Sequence, residues 1–499
     1  MIERLKDTYV GSLLSGAISA LLLTLSFPYF GLSYLAMIAL VPLFYYIVKS
    51  KEASKAAWAG FSFGAFLYLF TMYFIGSLEP LALPVLCIAK GLAPALIAYL
   101  IYLLKDEAGI VWGVGTAAAW VLGEYLHSIG TLGVTWAFLP LAFVNENVFM
   151  QCNSLTGMWG LTFAIALINA LICSFCTNKK DFRLALVVLC TWIGVLLWGY
   201  YSLNSVENTD KVQMWGVVQP GLSQMDRFDP AKEDDNLHHN LNLSAKCLEE
   251  TEPAEVVAWP ETSIPYRGFL LRKSKIRKFQ TCVQDHQAWY ILGSIEYSAD
   301  NMPRNTISVW NEEGDCVDRY DKYKLVPFGE YLPGRDYWPK WIPGIDKVMN
   351  YSSGEAIKPV EVDGTKVGVL ICFESLSTFM ARQQVLNGAE VLFVPTNDAW
   401  FGESVELPYH FAMARFRAAE LQRPVVQVGN TGVSGFIDKF GRVKRELPIN
   451  IDGYLVESVE PCQKLTLYAL WGDYFVIISF LLWGTCFILS KLRGRFFIM

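Results

Sequence analysis

Apolar positions fall in long runs at 11–27, 31–48, 56–78, 81–104, 109–127, 157–176 and 184–203, and once more at 466–490. Each run approaches the about 20 residues that a helix needs to cross a bilayer. The pattern therefore predicts a multi-pass membrane domain of eight transmembrane helices, seven ahead of a polar block and one behind it. Within the polar block the period shortens. Candidate strands (VQMWGVVQ, EVVAWP, AWYILGSIEYS, TISVWN, KVGVLICF, EVLFVPT, PVVQVGN) alternate with helical patterns such as HNLNLSAKCLEE and HFAMARFRAAELQ. Strands alternating with helices predict a layered α/β unit. Polar linkers at 204–211 and 461–466 divide the chain into 1–204, 205–465 and 466–499.

Composition agrees with a membrane reading: 53% of residues are hydrophobic and only 18% charged, with a mean hydropathy of +0.31. A net charge of −6 gives no reason to expect nucleic acid. The first run meets Phe27 and Pro28 with no small-residue cleavage pattern and reads as a retained anchor. If the N-terminus is cytoplasmic, the inside segments carry Arg4, Lys6, Lys49, Lys51, Lys55, Lys105, Lys179, Lys180, Arg183, Lys491, Arg493 and Arg495, while the short outside loops carry no Lys or Arg. By the positive-inside rule both termini are then cytoplasmic and the polar block lies outside the membrane. Lys90 and Glu124 sit within apolar runs, where a charge either faces a cavity or partner or snorkels to the interface.

Three strand ends carry complementary chemistry. Val367, Val369 and Ile371 alternate with Gly368 and Leu370, and Cys372 follows where that strand ends. A thiol leaving a strand into a turn suits a nucleophile, because the next N–H groups can face a reacting carbonyl oxygen; a lone cysteine is otherwise a small core residue. EVVAWPETS delivers Glu261, and RYDKYKLVPFGE offers Lys322 with Glu330 behind it. Proton transfer from a free thiol to a free carboxylate is uphill by about four pKa units, roughly 5.5 kcal/mol. Such a trio works only where its surroundings make the carboxylate a better base and a cation favours the thiolate.

WPET, DKYKLVPFGE and CFES, in that order, resemble the signatures of the nitrilase, or carbon–nitrogen hydrolase, superfamily, and NDAWFG (397–402), RFRAAE (415–420) and GNTGVSGFID (429–438) continue the likeness. LVPFGEYLP is similar to its membrane-embedded apolipoprotein N-acyltransferase branch. The resemblance implies an αββα sandwich with Glu261 as general base, Lys322 and the Phe373 N–H as oxyanion holders, Cys372 as nucleophile, and Glu330 and Glu374 in support; surface or capping carboxylates are the other reading of these two. It implies a bacterial inner membrane, a phospholipid acyl donor, and as acceptor the α-amino group of the diacylglyceryl-cysteine of an apolipoprotein, with ping-pong kinetics through a Cys372 thioester. A membrane-tethered amidase that hydrolyses C–N bonds is the alternative with the same trio, and a transporter or scaffold with an inactive domain is a third reading.

Aromatic and basic residues interleave after the LVPFGE turn (Tyr331, Arg335, Tyr337, Trp338, Lys340, Trp341), as suits a headgroup layer. Phe228, Trp338, Trp341, Asn397 and Trp400 are the candidate lipid contacts. Pro220, Phe228, Gln427 and His127 depart from the family pattern, which has Gly, Trp, Arg and a basic residue there. The external block holds Cys247, Cys282, Cys316, Cys372 and Cys462, an odd number that leaves at least one thiol unpaired. His238 and His239 are adjacent on a helical pattern and do not converge on a metal. No metal or cofactor motif is expected.

Overall fold

The computed structural model describes residues 7–131, 133–177, 179–205, 211–265, 268–339 and 348–496. They form two units: 1–206 with 404–412 and 466–499, and 207–403 with 413–465.

The first unit is helical. Five of its helices are long and apolar enough to cross a membrane: Tyr9–Ser26, Ala82–Tyr102, Met158–Cys176, Phe182–Leu203 and the stretch Tyr474–Arg493. Ala53–Thr71 and Gly109–Ser128 have 19 and 20 residues but are less apolar. The run at 31–48 corrects the expectation of a continuous span. It is a 3₁₀ turn, Ser33–Met37, followed by a nine-residue helix, Val41–Lys49. Asn169 repairs the break, accepting from the Leu40 N–H at 2.9 Å and donating to the Ala36 carbonyl at 2.8 Å. Freed backbone groups at membrane depth need such partners, since no water is there to take them. Close helix contact depends on small residues: a Cβ on Gly60 would lie 2.2 Å from the Pro94 carbonyl.

Neither intramembrane charge snorkels. Glu124 is buried. It accepts from the Leu139 N–H (2.8 Å), Trp120 Nε1 (3.3 Å) and Thr162 Oγ1 (2.5 Å), joining two helices to the segment between them. Lys90 is buried as well, with Nζ 3.5 Å from the His127 carbonyl and 5.3 Å from the centre of the Tyr68 ring.

The second unit holds twelve strands: β1 Gln213–Gln219, β2 Val256–Ala258, β3 Trp289–Tyr297, β4 Pro303–Trp310, β5 Cys316–Asp321, β6 Val360–Val362, β7 Thr365–Val369, β8 Val391–Thr396, β9 Val425–Gly429, β10 Ser434–Ile437, β11 Val443–Leu447 and β12 Gly453–Val459. They make two six-stranded sheets, ordered β12-β1-β2-β3-β4-β5 and β11-β10-β9-β8-β7-β6. Alternation decides which face each residue serves. Val217, Val256, Ala258 and Ile291 join Val367, Val369, Ile371 and Phe393 in one core shared by both sheets. Val218, Val257, Tyr290 and Leu292 point the other way, onto Leu237 and Leu243 of helix Glu233–Leu248 and Phe279 and Val283 of helix Lys273–His286. Helix Thr378–Leu386 lies on the second sheet, where Gln384 Nε2 donates to the Val369 carbonyl at 2.8 Å. This is the αββα sandwich.

Strand direction gathers the three strand ends. β1, β2 and β3 are parallel, β4 runs against β3, and β5 runs against β4. Two reversals bring β5 back to the direction of β2, so the exits of β2 and β5 open on one edge. The start of β4 lies on that edge too.

Candidate active site

The loop that carries Glu261 leaves β2 at Ala258 and is pressed onto β3. A Cβ on Gly293 would lie 2.5 Å from the Pro260 carbonyl and the Thr262 N–H, so only glycine lets the loop lie this low. Glu261 is buried there, at 6% exposure. Lys322, one residue beyond β5 and 1% exposed, reaches Glu261 Oε1 at 3.3 Å and Glu330 Oε1 at 2.9 Å. Glu330 is itself held by its turn, with Oε2 accepting from the Val326 N–H at 2.8 Å.

The sequence reading missed a fourth member of this cluster. Asn305, third residue of β4 and buried, donates Nδ2 to Glu261 Oε1 at 2.6 Å and to Glu330 Oε1 at 3.3 Å. Its carbonyl also accepts the Lys322 N–H at 2.8 Å. A polar side chain ahead of an apolar alternation was the available signal. What it lacked was any indication that β4 starts beside the exits of β2 and β5.

Burial pulls the Lys322 pKa down, but Glu330, then Glu261 and Cys372, outweigh it and hold it well above the usual lysine value. The side chain is therefore an ammonium at any physiological pH; it can stabilise negative charge but cannot act as a base. The charge coupling also puts Cys372 within electrostatic reach of the ammonium.

Cys372 is half-buried and opens the 3₁₀ turn Cys372–Leu376 with φ +49°. Among the described residues nine non-glycine residues have positive φ, and Thr262, Phe328 and Cys372 place one in each of the three loops of this site. For a β-branched or bulky side chain that conformation is strained, and such strain persists only where surrounding contacts hold it. The Glu374 N–H is committed to the Ile371 carbonyl at 3.1 Å. The Phe373 ring, half-buried, lies 5.3 Å from Lys324 Nζ. Lys324 is drawn below the usual lysine pKa by burial, against the pull of Glu374.

Glu374 is no surface carboxylate. It is fully buried and ties the Cys372–Leu376 turn to the loop that carries Lys322. Oε1 accepts from the N–H groups of Tyr323 (2.8 Å) and Lys324 (2.9 Å) and from the Tyr320 hydroxyl (3.0 Å), and Oε2 from the Ile371 N–H (2.9 Å). Burial raises its pKa to about 7 against these donors. Between the ordinary carboxylate value and 7 the folded protein holds a proton that the unfolded chain has released, so this contribution to stability is full below about pH 4.5 and is lost as pH rises through about 7. The thermal midpoint of the wild type is expected to fall between pH 5 and 8 relative to Glu374→Gln, whose side chain does not titrate. Parallel midpoint curves for the two proteins over that range would refute this.

Among the candidate lipid contacts, Phe228 and Trp400 meet with ring centroids 6.4 Å apart and are 41% and 52% exposed. Trp338 packs edge-on against Phe328 at 5.7 Å and donates Nε1 to the Pro333 carbonyl at 2.7 Å. Asn397 is buried and accepts from Asn430 Nδ2 at 3.3 Å, so its side chain is engaged within the fold rather than offered to lipid. Trp341 lies outside the described residues. Gln427 is buried and donates to the Val433 carbonyl at 3.2 Å, and the carbonyl of Pro220 pairs with His239 at 3.1 Å. Among the described residues, none of the five cysteines of the α/β block is joined in a disulfide.

Residues 217–461 match the carbon–nitrogen hydrolase family, and residues 19–171 match the apolipoprotein N-acyltransferase N-terminal domain. The chain is 29% identical over 496 residues to the apolipoprotein N-acyltransferase of Geobacter metallireducens, covering 93% of this chain and 92% of that one. It is 26% identical over 525 residues to the Pasteurella multocida protein of the same name, with 98% and 95% covered. Apolipoprotein N-acyltransferase 1 of Treponema denticola is 24% identical over 538 residues, with 96% of each chain covered.

Proposed function

Because the chain belongs to the apolipoprotein N-acyltransferase family, we propose that it carries a fatty acyl group from a membrane phospholipid to the α-amino group of a diacylglyceryl-cysteine, through a thioester on Cys372. The observation that carries this reading is the closed cluster of Glu261, Asn305, Lys322 and Glu330, with Cys372 in electrostatic reach of its ammonium.

In the first half-reaction Glu261 takes the thiol proton and the thiolate of Cys372 attacks the ester carbonyl. The Lys322 ammonium and the Phe373 N–H hold the oxyanion. As the tetrahedral centre collapses, the C–O bond breaks and Glu261 returns the proton to the departing alkoxide, releasing lysophospholipid. In the second half the acceptor amine attacks the thioester, Glu261 takes its proton, and the C–S bond breaks to leave an amide. The proton then returns to the thiolate. Asn305 and Glu330 keep Lys322 and Glu261 in register throughout.

Residues 1–204 and 466–499 form the membrane part in this reading, with eight crossings, both termini cytoplasmic, and the catalytic block 205–465 periplasmic in a bacterial inner membrane. The distribution of Lys and Arg supports that orientation. Phe228 and Trp400, which meet with their rings exposed, offer the apolar surface that a lipid chain needs. Two substrates anchored in one membrane meet by diffusion in two dimensions, and a site opening toward lipid keeps the thioester from water.

A labelled phospholipid and a synthetic diacylated lipopeptide, supplied together in detergent, test the reading. Labelled N-acyl peptide with one equivalent of lysophospholipid is expected. Labelled free fatty acid with no N-acyl peptide would make the protein a hydrolase.

A further inference from the structure

We infer that Arg227 is a positioning residue that holds the general base Glu261 in place, a role that rests on the function proposed above. Arg227 lies in the short helix Gln224–Phe228, which Ser223 caps through a bond from the Asp226 N–H at 3.1 Å. Its side chain is buried, at 1% exposure. A guanidinium withdrawn from water needs its donors occupied, and one turn does much of this: Nε donates to the Thr262 carbonyl at 3.0 Å, and Nη2 donates to the Glu261 carbonyl and to Thr262 Oγ1.

That turn is strained. Thr262 has φ +44°, a conformation that its branched Cβ opposes. Below the turn, Gly293 of β3 provides a floor, accepting from the Ser263 hydroxyl and the Ile264 N–H, both at 3.0 Å. The floor grips residues after the strained position. Arg227 grips the two carbonyls on either side of it, so its fork selects the peptide orientation that turns the Glu261 side chain toward Lys322 and Asn305. Relaxing Thr262 to negative φ would rotate the peptide bond next to Glu261 and swing the carboxylate out of line. A lysine offers one ammonium in place of a planar fork and could satisfy only part of this set.

Phe228 provides the internal comparison. It is adjacent in sequence, exposed and tilted against Trp400 with ring centroids 6.4 Å apart, so its loss should act on donor binding. Arg227→Ala is expected to slow acyl-enzyme formation about 10- to 100-fold, as a misplacement of about 1 Å does, with the KM for phospholipid within about twofold. Arg227→Lys should fall between. Phe228→Ala should raise KM with little change in kcat. Thr262→Gly added to Arg227→Ala should recover about tenfold, because glycine adopts positive φ without strain and needs no clamp.

Single-turnover acylation and alkylation of Cys372 by iodoacetamide across pH are measured side by side on wild type and variants. If wild type forms no acyl-enzyme, the transferase reading fails, while the alkylation profiles still report whether Arg227 governs thiol deprotonation. A raised KM with unchanged kcat for Arg227→Lys, or no recovery from Thr262→Gly with alkylation profiles equal to wild type, would overturn the proposal. Should Arg227→Ala fail to fold, Arg227→Lys and its double variant with Thr262→Gly carry the same comparison.

Discussion

Given phospholipid and no acceptor, the protein is expected to gain the mass of one fatty acyl chain on Cys372, and Cys372→Ala to gain none. The expectation comes from dividing the reaction at a covalent intermediate: without an amine, the second half cannot proceed and the thioester accumulates. Hydroxylamine should release the chain, since a thioester is cleaved where an amide is not. Among the described residues ten other cysteines also lie outside any disulfide, so the variant is needed to assign the site. Cys247 illustrates the difference between them: it is packed in the outer core of the first sheet, and burial pushes its thiol up to about 12. Cys372 is half-buried and within electrostatic reach of the Lys322 ammonium. Loss of the nucleophile in a cooperating trio costs at least about 10⁴-fold in kcat in comparable enzymes, and overall transfer should fall that far. Mass gain in Cys372→Ala, or transfer within tenfold of wild type, would remove the cysteine from the mechanism.

Lys322→Met should have the second largest effect, on activity and stability together. Lys322 stands between two carboxylates, 3.3 Å from Glu261 and 2.9 Å from Glu330, with all three side chains mostly or wholly buried. Removing the cation leaves Asn305 as their shared donor and two like charges out of water. Breaking a buried pair from one side costs about 3–5 kcal/mol, and loss of an oxyanion donor costs about a hundred- to a thousandfold in rate. The sign with pH is informative. The wild type keeps its ammonium, because the pKa of Lys322 is raised in the folded state and its stabilising contribution is lost only as pH rises beyond the usual lysine range. Lys322→Arg should not restore activity, since a planar fork does not fit a position built around a point charge. Near-normal turnover in Lys322→Met would exclude the ammonium from the transition state.

Two strand ends were legible because the chemistry-bearing residues follow apolar runs closely: Glu261 after β2 and Cys372 after β7. Edge strands were not. β5 reads CVDRYD and β11 reads VKREL, and most of their side chains face water, so no apolar period marks them. The helical unit shows the complementary limit: hydropathy counts apolar residues and cannot detect that Asn169, far along the chain, makes a break near Leu40 tolerable.

Local pattern alone was enough for the two-part organisation, the layered α/β character of the polar block and the three reactive residue types, because burial imposes a period on neighbouring residues and reactive groups sit where that period stops. Assembly was settled elsewhere. That Asn305 joins the two carboxylates, that Glu374 fastens the cysteine turn to the lysine loop, and that Arg227 grips the carbonyls around Thr262 are contacts between residues 25 to 54 positions apart. The first exists because two reversals return β5 to the direction of β2, the last because β1 and β2 run parallel side by side, and such long-range pairings leave no mark on the short-range rhythm of a single chain.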